Sequence, residues 1–138
     1  MIIDATNQIT GRIASFAAKK AILGESIDIV NCENAVITGS KKWLIADWRK
    51  TMERGHPLKG PFTCKRPDRF VRRIIRGMLP YKQDKGKKAF ARIMCHMGMP
   101  EQFKGKSFDK VPGADISKVP NLKYLSVKEI CRSIGANI

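Results

Sequence analysis

Residues 66–82 read RPDRFVRRIIRGMLPYK and place Arg69, Arg72, Arg73 and Arg76 within eight positions of one another. A guanidinium group is always charged, donates through a planar fork and accepts nothing. Its natural counterpart is an oxyanion, carboxylate or phosphate, gripped by two parallel hydrogen bonds. At 3.6 residues per turn the four arginines fall on one helix face, with Phe70, Val71, Ile74, Ile75 and Met78 opposite. A solvated helix face usually mixes acids with bases for i,i+4 support. Here Asp68 is the only acid between Arg54 and Asp84. Like charges on one face repel, so the stripe makes sense with a polyanion beside it; a solvated basic face is the alternative.

The same chemistry recurs nearby. Lys65 and Arg66 lead into the arginine helix, and Lys82, Lys85, Lys87 and Lys88 follow it. The turn ITGSKK ends in Lys41 and Lys42 at a predicted helix start, where free N–H groups and the helix dipole attract phosphate. Arg12 closes the turn NQITGR after the first apolar run. That turn has one glycine, Gly11, where a dinucleotide-binding turn needs three. The turn at 37–42 likewise lacks the G-x-x-x-x-G-K-[ST] pattern. No H-E-x-x-H, no G-x-S-x-G and no close carboxylate pair is present. With two histidines and 12 acids in 138 residues, general acid–base catalysis has little to work with. No cofactor, small-molecule substrate or catalytic residue is expected.

The elements that must position these charges follow from the apolar pattern. IIDA (2–5), IDIVN (27–31), AVIT (35–38) and IMCHM (93–97) read as short buried strands. Helices are expected from Thr10 to about Gly24, with Ile13, Phe16, Ala17, Lys20 and Ala21 on one face, and from Ser40 to about Arg54, with Leu44, Ile45 and Trp48 inward. Pro67 opens the arginine helix and Pro80 closes it. Asp84 opens a short helix to about Arg92. LSVKEICRSIG supplies a last helix, with Ser126 and Glu129 as a capping box and Gly135 after its end. Alternating strands and helices predict an α/β fold around a mostly parallel sheet with helices on both faces. Residues 56–67 are a proline-rich connector. Residues 100–121 are too irregular for an element; they read as an extended arm on a partner or a mobile surface loop.

The net charge is +15 and the pI about 10.1, the footprint of a nucleic-acid binder. Residues 41–92 alone carry +13. An apolar content of 43% still implies a folded core, and the length suits one domain, 1–138. Cys32, Cys64, Cys95 and Cys131 are far apart with no C-x-x-C pair, so buried free thiols are expected and no metal site. No apolar run approaches the roughly 20 residues of a membrane span, and no membrane association is expected. Most of the few aromatics sit at core spacing. Phosphate contact and shape recognition are therefore favoured over stacking on single-stranded bases.

IRGMLPYKQDKGKKAFARIMCHMG (75–98), with its R-G-M-L-P core, Gly-Lys pair and strand ending in glycine, closely resembles the signature of the universal large-ribosomal-subunit protein numbered thirteen. IIDATNQITGRIAS and VNCENAVITGSKK match the same family. KRPDRFVRRIIRGMLPYK and LSVKEICRSIGAN look like its archaeal and eukaryotic branch. Cys95 and His96 depart from it, standing where the family tends to have Val and Tyr. The resemblance implies a three-layer α/β/α fold around about four parallel strands. It implies a structural role in the cytoplasmic ribosome: binding large-subunit ribosomal RNA, touching neighbouring large-subunit proteins and supporting assembly, without catalysis. A free-standing nucleic-acid-binding regulator and an RNA-modifying enzyme are the rival readings. The first would need a recognition motif for duplexes, the second a cofactor fingerprint, and neither is visible.

Overall fold

A computed structural model of the chain describes residues 1–120 and 123–138. Strand β1 (Ile2–Asp4) leads through the turn at 5–9 into helix α1 (Thr10–Ile22), which returns to β2 (Ile27–Val30). A 3-10 turn at Cys32–Asn34 precedes β3 (Val36–Thr38) and α2 (Lys41–Met52). After the connector come α3 (Pro67–Gly77), α4 (Asp84–Ala91) and β4 (Ile93–Cys95). The last elements are β5 (Tyr124–Ser126) and α5 (Val127–Ser133).

The main sheet is parallel, in the order β1-β2-β4, with Ile3 opposite Ile29 and Ile29 opposite Cys95. One face of this sheet, with Ile3, Ile27, Ile29, Ile93 and Cys95, is buried. The other carries half-buried Ile2, Asp4 and Asp28 and Met94 at 45% exposure, so the strands are not the doubly buried apolar runs expected of a parallel sheet covered on both sides. The α/β expectation holds, with one rearrangement. The apolar run at 35–38 leaves the main sheet and pairs antiparallel with β5 instead, Ile37 opposite Leu125. A three-residue run has no alternation from which a partner could be read.

The core joins Ile3, Ile27, Ile29 and Ile93 of the sheet to Ile13, Ala14, Ala17 and Ala21 of α1, Phe70, Val71 and Ile75 of α3, and Val127, Ile130 and Cys131 of α5. Alanines let α1 approach α3 and α4 closely. Thr10 does not cap α1 but begins it; its hydroxyl donates to the Val36 carbonyl at 3.0 Å, tying the helix start to β3. Ser126 does cap α5, accepting from the Glu129 amide at 3.2 Å. Cys32, Cys95 and Cys131 are buried free thiols, but Cys64 is exposed, contrary to expectation. Burial, and the charge of nearby Asp68, push the Cys131 thiol up to about 12.

The segment after Pro100 is neither a free arm nor a mobile loop. It runs along the outer edge of β1: the Asp109 amide donates to Ile2 at 2.8 Å and the Asp4 amide to Asp109 at 3.2 Å. The Ile9 amide then donates to Ala114 at 2.7 Å, and the Ile116 amide to Asn7 at 3.0 Å. The buried Gln8 side chain accepts from the Val111 amide at 3.3 Å. Phe103, Val111 and Ala114 are buried, and Phe103 packs edge-on against His96. The expectation of a partner-seeking arm is thus corrected: its first anchor is this chain's own sheet edge. Asn121, its last residue, lies outside the described residues.

Candidate nucleic-acid interface

Helix α3 forms as its sequence directs. Pro67 occupies the first turn, where its missing N–H is unneeded; Phe70, Val71 and Ile75 are buried and Ile74 half-buried. Met78 is 43% exposed, so it leaves the inward stripe and Leu79 takes its place in the core. Phe70 meets Trp48 of α2 with ring centroids 4.4 Å apart.

Arg69, Arg72, Arg73 and Arg76 line one open groove of about 410 Å³, together with Phe62 and Cys64 of the connector and Phe90 of α4. Among the described residues none of the four is ion-paired with a carboxylate. They are not equivalent, however. Arg72 is half-buried: its Nε donates to the Ile93 carbonyl at 3.1 Å, and its guanidinium lies 4.4 Å from the Phe90 ring centroid. It serves the fold as well as the groove. Arg76 rests 5.2 Å from the Tyr81 ring centroid. Arg69 and Arg73 are exposed.

The other predicted cations divide. Lys82, Lys85, Lys87 and Lys88 are exposed on the turn after α3 and on α4; Lys87 reaches Asp84 at 3.4 Å. The corner that holds them depends on Gly86. A Cβ there would stand 2.1 Å from the Pro80 carbonyl oxygen, so only glycine lets α4 pack on the end of α3. Arg66 pairs with Asp68 at 3.1 Å. Lys65 turns to the far end of α5, its Nζ 3.2 Å from where a Cβ on Gly135 would lie. Arg12 donates to the Gly113 carbonyl and so holds the 100–120 segment. Lys41 and Lys42 are exposed on the first turn of α2, which has no acid, and Ser40 makes no side-chain cap bond there. Cations at the positive end of a helix are unfavourable without an anion, but these two lie outside the groove.

Sequence reasoning, which placed most of the aromatics at core spacing, did not single out Phe62, which is 76% exposed. Its signal was present: Phe62 follows Pro61 in the connector and has no periodic partner.

The sequence pattern of the family described as ribosomal protein L13 matches residues 1–102, the stretch that includes the groove. The chain belongs to that family. It is 39% identical to large ribosomal subunit protein uL13 of Methanopyrus kandleri, over 97% of this chain and 86% of that protein. It is 40% identical to the protein of the same name from Methanosarcina barkeri, over 98% and 97%. For that of Haloarcula marismortui the figure is 37%, over 99% and 92%. These relatives are archaeal, in keeping with the branch suggested by the arginine helix and the C-terminal helix. Among the described residues no helix is long and apolar enough to cross a membrane.

Proposed function

We propose that this protein is a structural, non-enzymatic constituent of the large ribosomal subunit in the cytoplasm, and that it binds large-subunit ribosomal RNA through the α3 groove. The observation that supports the RNA-facing assignment is the set of four arginines on one open surface without carboxylate partners among the described residues. Phosphate oxygens would complete them, releasing counterions from the RNA as they bind. Arg69, Arg73 and Arg76 supply the direct contacts. Arg72 shapes the groove floor, and Lys82, Lys85, Lys87 and Lys88 extend the positive surface over α4. Lys41 and Lys42 form a second contact at the start of α2. Arg66 and Arg12 act at the margins, since each also has a partner within the chain, and Lys65 does so beside Gly135. Residues 1–138 function as one domain, and neighbouring large-subunit proteins share its remaining surface. Sedimentation of cell lysate tests the assignment: the protein should travel with the large subunit and remain there after a high-salt wash. Recovery only in the soluble fraction would refute it.

A further inference from the structure

The groove is more than a row of charges, and its aromatic lining bears on what it takes. Phe62 stands 76% exposed on a connector that is cinched just before it. The His56 amide donates to Gly60 at 3.0 Å and the Gly60 amide to His56 at 2.8 Å. A Cβ on Gly55 would lie 2.2 Å from the Gly60 carbonyl oxygen, so the loop closes tightly and Phe62 leaves it from a fixed base. In the same groove the Arg72 guanidinium lies over Phe90, 4.4 Å from the ring centroid. With its Nε committed to Ile93, Arg72 offers a flat, supported cation. Burial of Phe90 and Arg72 accounts for their positions. Nothing among the described residues accounts for an exposed phenyl ring lining a cationic groove, since exposing it costs hydrophobic free energy.

We propose that the groove receives a single unstacked nucleotide of the bound RNA, a bulged or looped-out residue. Its base stacks between Phe62 and the Arg72–Phe90 pair while Arg69, Arg73 and Arg76 hold the flanking phosphates. Unpaired bases are recognised by stacking on phenyl rings and guanidinium planes, and the volume of about 410 Å³ lies within the range of small-ligand sites, about 300–1,000 Å³. A continuous duplex presents phosphates but no base face, so it would satisfy the arginines and leave Phe62 in water. The inference rests on the RNA-binding reading and specifies what that surface recognises.

The test uses the full-length protein and two hairpin RNAs, one with a single bulged 2-aminopurine and one with the same 2-aminopurine paired. The bulged hairpin should bind about five- to a hundredfold more tightly, with its fluorescence quenched on binding. Phe62→Ala should bring it down to the paired hairpin, with an unchanged melting curve because the ring is exposed. Arg73→Gln should weaken both. Free adenosine monophosphate at millimolar concentration should fail to displace the bulged hairpin, since it lacks the flanking phosphates. Equal affinity for the two hairpins, a preference that survives Phe62→Ala, or displacement by the free nucleotide overturns the inference and leaves the RNA-binding reading standing. Failure to bind either hairpin at low salt removes both.

Discussion

The two edges of the small parallel sheet are closed in different ways. At the β4 edge a side chain does the work: Arg72 reaches from α3 to the Ile93 carbonyl. At the β1 edge the backbone does it, amide to carbonyl, with Asp109 paired to Ile2 and Asp4 and, along the turn that follows β1, Ala114 to Ile9 and Ile116 to Asn7. Unpaired strand edges invite association, and both devices blunt them. The difference lies in what remains outside. The β4 side presents Arg69, Arg73 and Arg76 with no carboxylate partner among the described residues, whereas the β1 side spends even Arg12 on an internal carbonyl. One edge is finished within the chain. The other is left charged and open.

That contrast can be broken from either side. The largest effect is expected behind the groove. Ile75 is fully buried, so Ile75→Ala should cost about 2–5 kcal/mol in a urea melt. Ile74→Ala should cost less, because Ile74 is only half-buried. RNA affinity per folded molecule should hold for both. Gly86→Ala forces α4 off Pro80 and should cost about 1–3 kcal/mol, and here affinity should fall as well because the lysines of α4 move. An unchanged affinity would separate α4 from the interface.

At the β1 edge, Asp4 accepts from the Asn31 side chain at 2.9 Å, the Thr6 hydroxyl at 2.7 Å and the Thr6 amide at 3.1 Å. Burial raises its pKa, but these bonds outweigh it and hold the carboxyl below its usual value. A depressed pKa in the folded state means stability that is present above about pH 4 and lost as pH falls through the folded value. Asp4→Asn should therefore destabilise the protein by about 1–3 kcal/mol at pH 7, with the gap to the parent closing below pH 4. A gap independent of pH would show that the charge is not what matters. In hydrogen exchange, the amides of Asp109, Ile9 and Ile116 should be protected in the free protein; exchange as fast as an unfolded chain would return the segment to a mobile arm.

Much of the β4 side was legible because its information is carried by side chains at helical spacing. The placement of Arg69, Arg72, Arg73 and Arg76 on one face needs only a period, and Pro67 and Pro80 bracket it. The β1 side was illegible for the converse reason. Backbone hydrogen bonds are available to any residue, so FDKVPGADISK carries no pattern announcing that it docks on IID. Val111 and Ala114 are single apolar residues among prolines and lysines, and their burial follows from the sheet edge alone. The double duty of Arg72 was equally hidden, since its carbonyl partner lies 21 residues away. The β3–β5 pairing joins two three-residue runs separated by most of the chain. Phe62 was passed over because an isolated aromatic residue in a connector carries no periodic signal.

The smallest change in stability carries the most direct test. Arg73 is exposed and unpaired with acids, so Arg73→Gln should leave the melting temperature nearly unchanged, whereas Arg72→Gln should lower it by breaking the bond to Ile93. The decisive measurement is RNA affinity as a function of salt concentration for Arg73→Gln beside the parent. The account predicts weaker binding and a log–log salt slope reduced by about 0.7–0.9, the value for one phosphate no longer neutralised. An unaltered slope with a lowered melting temperature would contradict it and make the arginine face part of the fold rather than a surface for RNA.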